Sequence, residues 1–184
     1  MFQFISDIDI QVLLFIQQHV RTPFLTPAVT LVTSLGNAGM IWILVSLLLL
    51  VPRKTRKAGC MSLLALVFSL LANNLLLKNL VHRMRPYDYT AALLPLVPKP
   101  VDFSFPSGHT GSSFASAFAL YHGLPRRAGV LFFILAALIG LSRLYVGVHY
   151  PTDVLAGTVT GILSGWASVQ VFRRMGRDRY IPSY

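Results

Sequence analysis

Along the chain, apolar runs alternate with short polar or basic breaks. Residues 58–77 and 154–172 contain no charged residue, and each meets the roughly 20 mostly apolar residues that a membrane-spanning helix needs. Residues 22–52 are also uncharged but too long for one helix. The SLGNAG stretch at 34–39 divides them with the glycines and asparagine of a tight turn. Residues 110–124 and 128–147 add two more runs, separated by GLPRR. The pattern predicts an all-α integral membrane bundle of about six transmembrane helices in one domain, 1–184. Residues 8–20 read as an N-terminal interfacial helix leading into the first span, or as part of that span.

Composition supports a lipid environment. Of the 184 residues, 54% are apolar and 12% charged, about half the charged share of a soluble protein. The balance is +10, from 16 Lys and Arg against 6 Asp and Glu. No basic stripe with interleaved aromatics appears, so nucleic acid is not an expected partner. The basic residues cluster instead: Arg53, Lys54, Arg56 and Lys57 together, Arg126 with Arg127, then Arg173, Arg174, Arg177 and Arg179. With six spans these clusters fall on one side, which the positive-inside rule makes the cytoplasm, together with both termini. The opposite face then receives residues 78–110 and 145–153. The N-terminus lacks the basic region of a signal peptide. Cys60 is the single cysteine and reads as a small buried hydrophobe.

Three polar segments break this pattern. In KNLVHRMRP (78–86), Lys78 and Arg85 are seven apart and share a helical face, and Pro86 turns the chain. Snorkelling is the bland reading, yet these cations lie on the face where few are expected. His82 and Arg83 lie where a second phosphate could reach them. In FPSGHTGSS (105–113), Pro106 and Gly108 shape a turn, so Ser107, Gly108 and His109 fall at a helix N-terminus. Free N–H groups there favour an anion, although ordinary capping by Ser107 explains the same residues. In SRLYVGVHYPTD (142–153), Pro151 opens a helix, Tyr150 caps it, and Asp153 can reach back to His149. Arg143, near the end of an apolar run, is costly to bury without a partner.

Lys78, Arg85, Arg143 and the 107–109 turn would make a phosphate cradle, with two histidines and a carboxylate beside it. His109, His149 and Asp153 could instead ligate a metal. A cation among three other cations would be electrostatically poor, so no metal or cofactor is expected.

The three segments resemble, in order and spacing, the signatures K-x6-RP, PSGH and SR-x5-H-x3-D of the type 2 phosphatidic acid phosphatase (PAP2) superfamily, with no departure at any motif position. The resemblance implies a PAP2-like core around 78–86, 106–109 and 142–153 and a metal-independent lipid phosphatase of a bacterial cell membrane. It implies His149 as nucleophile, Asp153 orienting it, His109 as acid and base, and Lys78, Arg85, Ser107, Gly108 and Arg143 holding the phosphoryl oxygens. The implied partner is a membrane lipid phosphate, with undecaprenyl pyrophosphate first and phosphatidylglycerophosphate or phosphatidate as alternatives. A lipid-linked phosphotransferase would use the same site, and a non-hydrolytic lipid transporter would need no His–Asp pair. The loop at 87–105 reads as a substrate lid or as a membrane-hugging connector. Small residues at Gly111, Ala115 and Ala119, and at Gly157 and Gly161, read as helix-packing faces within one molecule. Oligomeric state is not legible.

Overall fold

A computed structural model describes residues 2–178, with side-chain surroundings described for 7–175. All regular structure among the described residues is helical, the arrangement that satisfies every backbone polar group without water. α1 (Phe2–Phe15) runs on through a wider turn at Ile16–Val20. After it come α2 (Leu25–Leu35) and α3 (Met40–Leu50). α4 (Arg56–Ser69) passes through a π-helical stretch, Leu70–Leu77, into α5 (Lys78–Val81). The chain then forms α6 (Pro86–Tyr89), α7 (Gly108–Gly123), α8 (Arg126–Tyr145) and α9 (Pro151–Asp178).

The span count differs from the expected six. Three helical stretches, Arg56–Tyr89, Arg126–Tyr145 and Pro151–Met175, are long and apolar enough to cross a membrane. The two halves of 22–52 form one bent pair, Leu25–Leu35 with Asn37–Leu50, broken by 50°. Each of α2 and α3 has 11 residues, about 16 Å of helix against a hydrocarbon core of roughly 30 Å. The pair therefore makes at most one crossing, a fourth. α7, with 16 residues, is shorter than a free-standing span, and its Ala115, Ala117, Ala119 and Leu120 are fully buried.

The bundle has a close-packed interior that mixes apolar clusters with buried polar groups, and an apolar exterior. A Cβ on Gly157, Gly161 or Gly165 would lie 2.7, 2.5 or 2.7 Å from the carbonyl oxygens of Ser107, Gly111 and Ala115. Only glycines let α9 approach the α7 backbone so closely, so this small-residue face joins helices within the molecule. A seam of buried serines runs alongside. Ser46 Oγ donates to Ser62 Oγ, which pairs with Ser116 Oγ at 2.7 Å, and Trp42 Nε1 donates to Ser113 Oγ. Leu44, Leu48, Leu131, Leu155 and Leu163 face outward. Cys60, expected to be buried, is half-buried.

The two ends of the bundle differ. A Cβ on Gly123 would touch Ala58, and Ser168 Oγ donates to the Met61 carbonyl. These contacts gather the starts of α4 and α8, the end of α7 and the C-terminal part of α9 at one end, with the basic clusters. The ends of α5 and α8 and the starts of α7 and α9 meet at the other. α1 lies across this second end. Asp9 bonds Thr152 at the start of α9, and Arg21 Nε donates to the Tyr145 carbonyl at the end of α8. The expectation that the N-terminal segment lies with the basic clusters is corrected: Asp9 and Arg21 tie it to the opposite end of the bundle. Of the expected C-terminal basic cluster, Arg179 lies outside the described residues.

Candidate active site

At the non-basic end a cavity of about 610 Å³ opens into the bundle. Its polar wall carries Lys78, Arg85, Asp102, His109, Arg143 and His149, while Ile43, Leu63, Leu66, Val67 and Leu70 line an apolar wall between α3 and α4.

Lys78 and Arg85 converge by a route the helical spacing does not describe. The helix stops at Val81 because His82 adopts a left-handed conformation, φ 50°, and Arg85 is extended before Pro86. The pair meets through a turn rather than along one helix face. Both hold the same carboxylate: Lys78 Nζ donates to Asp102 Oδ2, and Arg85 NH2 donates to Asp102 Oδ1 at 2.6 Å. Burial alone would raise the Asp102 carboxyl, but Lys78 and Arg85 outweigh it and hold it at about 2. Asp102 is absent from the sequence-derived site, because nothing in the loop's composition marks one acid among its neighbours.

His149 is 2% exposed, between α8 and α9. Its Nδ1 lies 3.4 Å from Asp153 Oδ2, and its Nε2 lies 3.4 Å from Arg85 NH1 on the cavity side. The carboxylate can only accept, so Nδ1 carries the proton and the Nε2 lone pair faces the cavity. Burial, opposed by Asp153 and reinforced by Arg85 and Arg143, pushes His149 down to about 4, so it is neutral near pH 7. Asp153 does not line the cavity. It is fully buried behind His149, and its Oδ2 also accepts from Ser104 Oγ at 2.5 Å and from the Tyr150 amide at 3.0 Å.

His109, in the first turn of α7, places Nε2 3.0 Å from Asn37 Oδ1. An amide oxygen accepts only, so the bend between α2 and α3 keeps a proton on that nitrogen. Asn37 was legible in sequence only as a turn residue. Arg143 is 3% exposed and donates NH1 to Thr33 Oγ1 at 2.7 Å. Its Nε has no hydrogen-bond partner, and no ion pair engages it among the described residues. A buried guanidinium without a carboxylate leaves room for an exogenous anion.

Gly108 lines the cavity beside Asn74. Ser107 stands apart: it is fully buried, its Oγ accepts from Thr110 Oγ1 at 2.9 Å, and it caps α7. Arg83 turns away from the cavity toward Asp153 and Asp9. The loop after α6 is tied to α1, with Gln17 Nε2 donating to the Ala92 carbonyl and Arg21 NH1 to that of Leu94. Among the described residues, no three His, Cys, Asp or Glu side chains are grouped to hold a metal ion.

Comparison with known proteins finds relatives that cover most of the chain. An undecaprenyl-diphosphatase of Sulfolobus acidocaldarius is 36% identical over 131 residues, 71% of this chain and 63% of that protein. Phosphatidylglycerophosphatase B of Bacillus subtilis is 33% identical over 157 residues, 78% of this chain and 73% of that one. The crystal structure of a transmembrane PAP2-type phosphatidylglycerolphosphate phosphatase from Bacillus subtilis superposes with a TM-score of 0.74 at 28% identity, covering 92% of this chain and 86% of that one. The chain spans 63%, 55% and 49% of the first three curated relatives it matches. The sequence pattern of the PAP2 superfamily matches residues 58–177, from the start of α4 into the end of α9 and across every polar wall of the cavity; the chain belongs to the PAP2 superfamily.

Proposed function

We propose that the protein, as a single domain over 1–184, is a metal-independent membrane lipid phosphatase working through a phosphohistidine, with undecaprenyl pyrophosphate as its substrate. The observation that carries this reading is the convergence of three buried cations on a cavity that also holds a neutral, carboxylate-backed histidine. The apolar wall between α3 and α4 suits the lipid chain, and the name of the Sulfolobus relative supports the diphosphate. The Bacillus relative supports phosphatidylglycerophosphate as the second reading.

The residues divide the chemistry as follows. Lys78, Arg85, Arg143 and the Gly108 amide hold the phosphoryl oxygens, with Ser107 fixing the turn that presents that amide. Asp102 gives up its two cations to the incoming phosphate. His149 Nε2 forms a bond to phosphorus while the bond to the leaving oxygen breaks, and His109, doubly protonated once the bound anion offsets the neighbouring cations, gives that oxygen one proton and is left neutral. Asp153 stabilises the positive charge on the ring. Water then attacks the phosphohistidine, His109 takes its proton, and inorganic phosphate leaves. The fixed cations stabilise the charge that spreads in each transition state.

With the basic end in the cytoplasm, the cavity and α1 lie on the extracytoplasmic face of the bacterial cell membrane. Phosphate release by purified protein in detergent with EDTA tests the reading, using undecaprenyl pyrophosphate and phosphatidylglycerophosphate side by side. Release that persists in EDTA and vanishes in His149→Ala is expected. Activity restored only by a divalent metal refutes the metal-free mechanism, and full activity in His149→Ala refutes the phosphohistidine.

A further inference from the structure

Arg83 is left unused by this chemistry, although it forms ion pairs with two buried carboxylates. The left-handed His82 turns the chain so that Arg83 points behind His149 instead of into the cavity. Its NH1 donates to Asp153 Oδ1 at 2.7 Å and to Thr152 Oγ1 at 2.7 Å, and its NH2 donates to Asp9 Oδ2 at 2.7 Å. The guanidinium lies 3.8 Å from the centre of the Tyr150 ring. Its backbone carbonyl accepts from the Ser104 amide at 2.9 Å, and Ser104 Oγ in turn donates to Asp153 Oδ2. Asp9, only 2% exposed, closes the cluster by accepting from the Thr152 amide and hydroxyl.

We infer that Arg83 is a positioning residue, acting through Asp153 on His149, and that Asp9 of α1 belongs to the same clamp. The argument rests on the proposed His149 mechanism. A fully buried carboxylate needs a paired charge, and Arg83 supplies it on the oxygen that does not face the histidine. With Oδ1 pinned by Arg83 and Oδ2 by Ser104 and the Tyr150 amide, the carboxylate plane cannot rotate, and Oδ2 stays aimed at His149 Nδ1. One guanidinium bridging two carboxylates uses the fork geometry that a lysine lacks. Because Asp9 holds the far side of the fork, α1 is coupled to the reacting histidine without touching the cavity.

The alternative role for Arg83 is a contact to the second phosphate of a diphosphate, and the two give different kinetics. Wild type, Arg83→Gln, Arg83→Lys and Asp9→Asn are compared on farnesyl monophosphate and farnesyl diphosphate, with inorganic phosphate as a competitive inhibitor. Arg83→Gln is expected to lower kcat about 10- to 100-fold on both substrates, the range seen when an outer partner of a reactive group is lost. KM and the phosphate inhibition constant stay within about threefold, because the cradle is intact. Arg83→Lys recovers part of kcat. Asp9→Asn, the milder change if Arg83 variants fail to fold, lowers kcat on both substrates by about three- to tenfold. A KM increase confined to the diphosphate makes Arg83 a substrate contact and overturns the inference. Unchanged kcat, or a phosphate inhibition constant that worsens in step with kcat, overturns it as well. A wild type that hydrolyses neither compound refutes the phosphatase reading instead.

Discussion

Two carboxylates flank the cavity histidine, and they are held in opposite ways. Asp102, in front, sits on a loop with its side chain 48% exposed and is bound by Lys78 and Arg85. Asp153, behind, is fully buried and held by Arg83, Ser104 and the Tyr150 amide as well as His149. Each is an acid among basic groups, but only the front one can exchange. Water and another anion can reach Asp102, so losing it costs little when a phosphate takes its place. Asp153 has no such replacement, and uncovering its partners would strand charge in a dry interior. One end of the bundle therefore offers its cations for exchange and keeps its histidine support fixed.

The largest test of that contrast is His149→Ala. It should lower hydrolysis by at least about 10³-fold, because the proposed nucleophile itself is removed. Arg143→Gln comes next, with a kcat loss of about 10²-fold, the scale for removing one donor from a developing charge. Steady-state rates in detergent check both, and an Arg143→Gln enzyme with normal kcat would separate that guanidinium from the cradle. Gly161→Leu, far from either carboxylate, should destabilise by about 1–3 kcal/mol or more through overpacking, read as a fall in Tm in detergent. A normal Tm would mean that the α7–α9 approach is looser than described.

The smallest effect is expected from Asp102→Asn. Removing the competing charge should lower KM and the phosphate inhibition constant about threefold, against an order of magnitude or more for Asp153→Asn in kcat. Since Asp102 is held at about 2, it stays charged across the working range, and the gain should be equal at pH 6 and pH 8. His149 sets the acid limit instead. With its pKa lowered to about 4, kcat/KM should hold through neutrality and fall only as the ring takes up a proton near pH 4. A limb near 6.5 would show that the ring is wetter than its burial implies.

Local signals carried the starts of α7 and α9 well. Ser107 before Gly108 and Pro151 after Tyr150 are capping chemistry, and both helices begin there. Asp153 sits four residues after His149 within reach, as its place in the first turn predicts. What was not legible depends on contacts between distant segments. Lys78 and Arg85 were readable as a pair, but the left-handed His82 that brings them together carries no glycine to announce it. Asp102 and Asn37 gain meaning only from the cations and the histidine they face, at separations of 24 and 72 residues. The bend at 36–39 looked like a full turn between two spans because glycine and asparagine mark a break without fixing its angle.

The position of α1 has a consequence for how the chain is made. In the proposed orientation this helix must pass through the membrane and remain on the outer surface. The first 20 residues contain no Lys or Arg, whereas Asp7 and Asp9 are both present, so nothing in the segment retains it on the side of synthesis. The Asp9 carboxylate that seats the helix against Arg83 therefore reaches its partner only after translocation. Assembly of the site behind His149 is then a late event in biogenesis, completed on the far side of the membrane from the ribosome.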